Sequence, residues 1–127
     1  MVTTEQLESI MFQSTGTEQY HKLSMLPLLA TDGVADIVKA AESYWLVDAI
    51  ASYQSSKVKV EYHFQLWYLI SIGHKGHLFM VEDSLVDTHT DVISPLVFSQ
   101  WIPYTDFPTG IWKFYVIDGV MLLPSEY

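Results

Sequence analysis

The chain has 127 residues, half of them hydrophobic, with eighteen aromatics, no Cys, and six Lys but no Arg against fifteen acidic residues, for a net charge of -9. Without Cys there are no disulfides, thiolate metal sites or Cys nucleophiles, which fits a reducing compartment. Without Arg and with so much negative charge, direct DNA or RNA binding is disfavoured, because phosphate must be neutralised by cations.

A chain this long fits a single domain, 1–127, and buries roughly two-thirds of its unfolded surface. Its longest apolar run, around Leu66 to Ile72, falls far short of the roughly 20 residues that span a bilayer. The opening Met-Val-Thr-Thr-Glu-Gln lacks the basic and apolar regions of a signal peptide. A cytoplasmic protein without membrane association is the expectation.

Thr3 and Gln6 have capping-box spacing ahead of Leu7, Ile10 and Met11, predicting a helix over 4–13. Thr15 and Glu18 repeat that spacing before Tyr20, Leu23 and Met25 or Leu26, predicting a second short helix that ends ahead of Pro27. A third, central helix is predicted from Asp32 as N-cap. It carries Val34, Ile37, Val38, Ala41, Trp45 and Ala49 along one stripe and closes at Ser55-Ser56. Asp48 would then be buried, as a tuned acid or as an anchor to a hydroxyl, an indole or an amide.

The period changes to two after this helix. Val58, Val60, Tyr62, Phe64, Leu66, Tyr68 and Ile70 alternate with Lys59, Glu61, His63, Gln65 and Trp67, predicting a long strand whose first set is buried and whose second set, with Trp67, faces outward. Gly73 to Gly76 makes a turn, His77 to Glu82 a second strand, and Asp83 to Pro95 a mobile acidic loop. Strands follow over Leu96 to Ile102, Ile111 to Ile117 and Val120 to Leu123. The last two are joined by Asp118-Gly119, a type I′ hairpin signal that marks the closing edge of the sheet. Pro103 and Pro108 force the corner between them out of the ladder. The predicted fold is α+β, with N-terminal helices packed on a C-terminal antiparallel meander of about five strands.

No nucleophile elbow, Gly-rich phosphate loop or His-Glu-x-x-His sequence is present, so no enzyme class and no cofactor is indicated. Asp87, His89 and Asp91 alternate as metal ligands sometimes do, and His74 and His77 flank Gly76 as a second ligand pair, but loops of this composition are usually only solvated. For a protein partner the candidates are the acidic Glu82, Asp83, Asp87 and Asp91 and the aromatic Trp67 and Trp112, with Tyr115 the alternative to Trp112 in the other register. The acidity either keeps an aromatic-rich chain soluble or docks on a basic nucleic-acid-binding protein. Either the second sheet face is covered by helices and loop, or a partner covers it, or the chain forms a homodimer.

Six segments, Gly16-Thr17-Glu18-Gln19-Tyr20, Thr31-Asp32-Gly33-Val34, Tyr44-Trp45-Leu46-Val47-Asp48-Ala49-Ile50, Phe64-Gln65-Leu66-Trp67, Tyr104-Thr105-Asp106-Phe107-Pro108 and Leu122-Leu123-Pro124-Ser125-Glu126-Tyr127, resemble in order and spacing a family of small bacterial proteins of unknown function. The resemblance covers nearly the whole chain, except for a longer segment at about 82–95. It implies one domain and a setting in bacteria, mobile elements and phages, and carries over no catalytic residue. With the charge and the aromatics, the expectation is a small acidic binding module that inhibits a nucleic-acid-handling host protein, as anti-CRISPR proteins do. A self-associating accessory protein and a metal-dependent enzyme using Asp87, His89 and Asp91 are the alternatives.

Overall fold

The computed structural model describes residues 2–54, 62–81 and 96–127. The first helix, α1 (Thr4–Gln13), carries the predicted capping box: Gln6 N donates to Thr3 Oγ1 at 3.1 Å and Thr3 N to Gln6 Oε1 at 2.8 Å. No second helix follows it. Residues 14–28 run without one, because their polar groups bond elsewhere: Asp32 N donates to Thr17 Oγ1 and Glu18 N to Asp32 Oδ2. The segment ends in β1 (Leu29–Ala30).

The predicted central helix is two helices, α2 (Asp32–Ala40) and α3 (Tyr44–Ser52). The N-cap of α2 is Thr31, one residue before the Asp32 expected, with Val34 N donating to Thr31 Oγ1. The break follows from Glu42, a non-glycine residue at φ 50°. Ser43 N donates to Val38 O and Glu42 N to Lys39 O, the two bonds of a Schellman termination. The turn re-aims α3 so that Leu46, Val47 and Ile50 face the core while Asp48 is exposed rather than buried. The expected closure at Ser55-Ser56 lies outside the described residues.

Five further strands follow: β2 (Phe64–Ile72), β3 (Lys75–Val81), β4 (Leu96–Ile102), β5 (Gly110–Ile117) and β6 (Val120–Leu122), with a terminal turn η1 (Pro124–Glu126). The sheet order is β1-β6-β5-β2-β3-β4. β2, β3 and β4 are consecutive neighbours. The corner after β4 then carries the chain back so that β5 pairs with β2 instead of β4, which departs from a sequential meander. Asp118 and Gly119 both have positive φ, 49° and 80°, as a type I′ hairpin requires. The hairpin is not the sheet edge, since β1 pairs in parallel with β6 beyond it. Gly73 and His74, at φ 54° and 70°, make a second two-residue turn of this kind between β2 and β3.

One face of the sheet holds the main core. Trp67, Leu69, Leu78, Met80, Trp112, Phe114, Val116 and Met121 pack there against Leu7, Val34, Ile37, Leu46, Val47 and Ile50, each contributing about 1.5–3 kcal/mol by burial. The phase of β2 is thus opposite to the one expected. Trp67 is fully buried against the helices, whereas Leu66, Tyr68 and Ile70 occupy the far face. Gln65 explains how a polar residue joins the core: it exchanges 2.8 Å amide bonds with Gln54 and accepts the Trp67 indole N–H at 2.8 Å.

Candidate functional site

The family-like segments meet as ties within the fold. Asp32, at the start of α2, accepts from Glu18 N at 2.8 Å and faces His21 Nε2 at 2.6 Å, and these contacts hold its carboxyl below the usual range. Glu126 reaches the same helix end from the C-terminal segment, accepting from Thr31 Oγ1 at 2.6 Å, Gly33 N at 3.2 Å and Leu123 N at 3.0 Å. A Cβ on Gly33 would stand 2.7 Å from Glu126 Oε1, so that approach needs glycine. In the corner, Thr105 N donates to His74 O and Ser71 Oγ to Phe107 O, fastening it to the β2–β3 hairpin. Tyr104 OH donates to Asp106 Oδ1, which pushes the phenol up. These segments carry architecture.

Of the strongly exposed apolar side chains, Trp101, Ile72 and Ile111 lie on the sheet face away from the helices, while Phe12 lies on α1 and Met25 in the segment that follows it. The registers place Ile111, Ile70, His77 and Trp101 in one row across β5, β2, β3 and β4, with Lys113, Tyr68, Phe79 and Ser99 in the next. Leu66, Tyr68, Phe79 and Val81 form a second buried cluster to which, among the described residues, no helix contributes. Around it Trp101 is 76% exposed, Ile72 69% and Ile111 61%. These three side chains leave most of their apolar surface in water at separate points of this face.

Packing holds this face in shape. The His77 ring stacks on Trp101 at 4.3 Å and 14°, Tyr68 on Phe79 at 5.5 Å, and Phe64 joins Tyr115 and Tyr127 in a three-ring cluster. Lys113 Nζ sits 5.2 Å from the Tyr115 ring centroid and 5.8 Å from that of Tyr68. Among the described residues the strands put no Asp or Glu side chain on this face, only Lys75, His77 and Lys113. Glu5, Glu8, Asp36, Glu42 and Asp48 are exposed on the helices and the turn between them. Among the described residues the helical side thus carries exposed carboxylates together with Lys39, while the far face of the strands carries no carboxylate.

The candidates expected from the sequence fare unevenly against this geometry. Trp67 and Trp112, expected outward, are both buried in the main core, Trp112 with its indole donating to Pro108 O at 3.0 Å. Tyr115, the alternative to Trp112, does lie on the far face. Glu82, Asp83, Asp87, His89 and Asp91 lie outside the described residues. His74 and His77 do not converge: His74 stacks on Tyr104 with Nδ1 at Thr105 O, and His77 stacks on Trp101. Among the described residues no group of three His, Asp or Glu could hold a metal. His77 Nε2 meets Ser99 Oγ at 2.6 Å, and among the described residues no carboxylate orients the imidazole.

Sequence reasoning missed Trp101 and Ile111. The signal for Trp101 was a Trp beside Ser99-Gln100 in a strand preceding a proline, a setting that suits a sheet margin. No helix among the described residues is long and apolar enough to cross a membrane. No curated protein and no solved structure matches the chain. A family model for a family of unknown function, DUF6876, matches residues 5–127, and the chain belongs to that family.

Proposed function

We propose that the protein is a binding module that takes a protein partner on the far face of its sheet. The observation that supports this reading is the row Ile111, Ile70, His77 and Trp101, an apolar strip with two strongly exposed ends on a face without Asp or Glu side chains among the described residues. An aromatic anchor beside aliphatic neighbours is what interface centres are built from. The finer reading is a phage- or mobile-element-associated inhibitor of a basic, nucleic-acid-handling host protein. Its support is the net charge of -9 without Arg, with the exposed carboxylates of the helical side steering the approach and the apolar face making the contact.

The test mixes the protein with nucleic-acid-handling complexes and follows co-elution and target-DNA binding. The wild type forms a complex and suppresses DNA binding, and the double variant Trp101→Glu/Ile111→Glu loses both while staying folded. Retained DNA binding and no complex across a broad panel would remove the inhibitor reading.

A further inference from the structure

We propose that the outer edge of β5 at Ile111 and Lys113, beside α1, is a peptide groove, where an extended segment of a partner protein adds one short strand to the sheet. This goes beyond the binding role of the far face, because it stands on the backbone of β5 and on a groove that opens toward α1. β6 pairs with β5 only over Tyr115, Val116 and Ile117. Pro124 then turns the chain off the edge into η1, where Ser125 Oγ sits 2.8 Å from Met11 O and 2.6 Å from Ser14 O and so ties the turn to α1. Residues 110–114 are left with β2 on one side and no strand on the other.

Two hairpins fix which backbone groups reach that edge. In a two-residue hairpin the residues flanking the turn exchange both backbone bonds. Ile117 and Val120 flank Asp118-Gly119, so Ile117, Tyr115, Lys113 and Ile111 direct their N–H and C=O groups away from β2. Ile72 and Lys75 flank Gly73-His74, which turns Ile70 and Tyr68 toward β3 and Leu69 and Ser71 toward β5, in agreement. The edge groups of Ile111 and Lys113 meet no hydrogen-bond partner among the described residues. A groove of about 350 Å³ lies against them, between Glu8, Met11 and Phe12 of α1 and the β5 edge, with Pro124 and Ser125 at one end. Phe12 on its wall is 84% exposed. Gln54, Tyr62, Val81 and Leu96, where the described chain breaks, lie toward the other end of β5: Val81 is in register with Leu96 and Leu66, Leu66 with Tyr115, and Gln54 and Tyr62 stand beside Asp118.

The occupant follows from this geometry and from charge. An extended chain running antiparallel to β5 takes up where β6 leaves off, and its residues opposite Ile111 and Lys113 exchange N–H and C=O bonds with them. Directly opposed side chains share a face. The residue opposite Trp112 points toward α1, into the groove beside Met11 and Phe12, and is apolar; Glu8 on that wall disfavours an acid there. The residue opposite Lys113 points to the far face, where among the described residues the strands give Lys113 no carboxylate, and is Asp or Glu. From its N-terminus the segment is acidic, apolar, apolar, the last residue lying against Ile111. A second copy presenting its own β5 would bring a second α1, with another Glu8, into the same space, and two chains of net charge -9 repel.

The experiment selects binders to the full chain from a displayed library of random peptides of about nine residues, then titrates the selected peptide into nitrogen-15-labelled protein. The acidic-apolar-apolar pattern is enriched, the dissociation constant is on the order of 10–100 μM, and the largest amide shifts and the slowed hydrogen exchange fall at Ile111 and Lys113. N-methylation of the peptide residue opposite Ile111, which removes one backbone donor, weakens binding about tenfold or more. Phe12→Ala weakens it about fivefold, and Lys113→Glu turns the enriched first residue from acidic to basic. Trp101→Glu, two strands beyond β2, leaves peptide binding unchanged. No enriched peptide, shifts centred away from residues 110–114, or an N-methylated peptide that binds as well as its parent overturns the proposal. So does a photo-crosslinker at position 12 that captures only a second copy of the chain. None of these results touches the binding role of the far face, which Trp101→Glu reads in the partner assay, and loss of that role alone leaves the groove standing.

Discussion

Replacing Glu126 by Ala removes the tie between the C-terminal segment and the start of α2. The carboxylate accepts from Thr31 Oγ1, Gly33 N and Leu123 N at 2.6, 3.2 and 3.0 Å, and Gly33 is buried. A hydrogen bond to a charged acceptor contributes about 1.5–3 kcal/mol when desolvated, and the favourable placement at a helix N-terminus adds about 0.3–1 kcal/mol. Glu126 is only half-buried, so solvent discounts the sum to about 2–3 kcal/mol. For a chain of this size that lowers Tm by about 6–12 °C in a thermal melt followed by circular dichroism. Glu126→Gln keeps the acceptor oxygen and loses about half as much. A double-mutant cycle with Thr31→Val should give a coupling of about 1 kcal/mol or more. A loss under about 0.5 kcal/mol for Glu126→Ala, the level of an ordinary surface change, would refute the tie.

Three other perturbations test separate parts of the structure. Gln65→Leu strands the Gln54 amide and the Trp67 indole N–H in the core and should cost about 2–4 kcal/mol in urea unfolding. Glu42→Gly relieves a left-handed residue at the α2–α3 break and should stabilise by about 0.5–1 kcal/mol in the same assay. The depressed pKa of Asp32, caused first by the Glu18 N–H and then by His21, predicts stability that is fully present above the unfolded value of about 3.9. That stability is lost as pH falls through the lower folded value. Asp32→Asn should be less stable than wild type at pH 7 and converge on it at the acid end of the profile.

Where local chemistry decides a backbone conformation, the sequence was legible. Asp118-Gly119 specifies its turn through the positive φ of both residues, and Thr3 with Gln6 specifies the start of α1, because these bonds close within four residues. The α+β class followed from the change of period after residue 57, and β4 came out with the bounds expected. Where tertiary contacts decide, local reading failed. Residues 15–26 have helical spacing, but Thr17, Glu18 and His21 spend their polar groups on Asp32 and Ala30. Glu42 ends α2 without the glycine that usually announces such a turn.

The misplacement of the aromatic candidates has a single physical origin. Both faces of β2 are apolar, so alternation fixed the period and left the phase open. The phase was decided by Gln65, whose polarity suggested solvent but whose amide is satisfied inside by Gln54 and Trp67. A buried polar network of this kind is invisible until its partners are known. The exposure of Trp101 and Ile111 depends on their positions in the sheet order, which is set by the return of β5 to β2.

Site-specific photo-crosslinking measures partner binding on the far face most directly. A benzophenone side chain is placed at Ile111, at Trp101 or, as a control, at the exposed helical Gln13, and adducts formed in cells are identified by mass. The binding role predicts protein adducts from positions 111 and 101 well above those from position 13. Equal yields at all three positions, or no adducts from the sheet face, would contradict it.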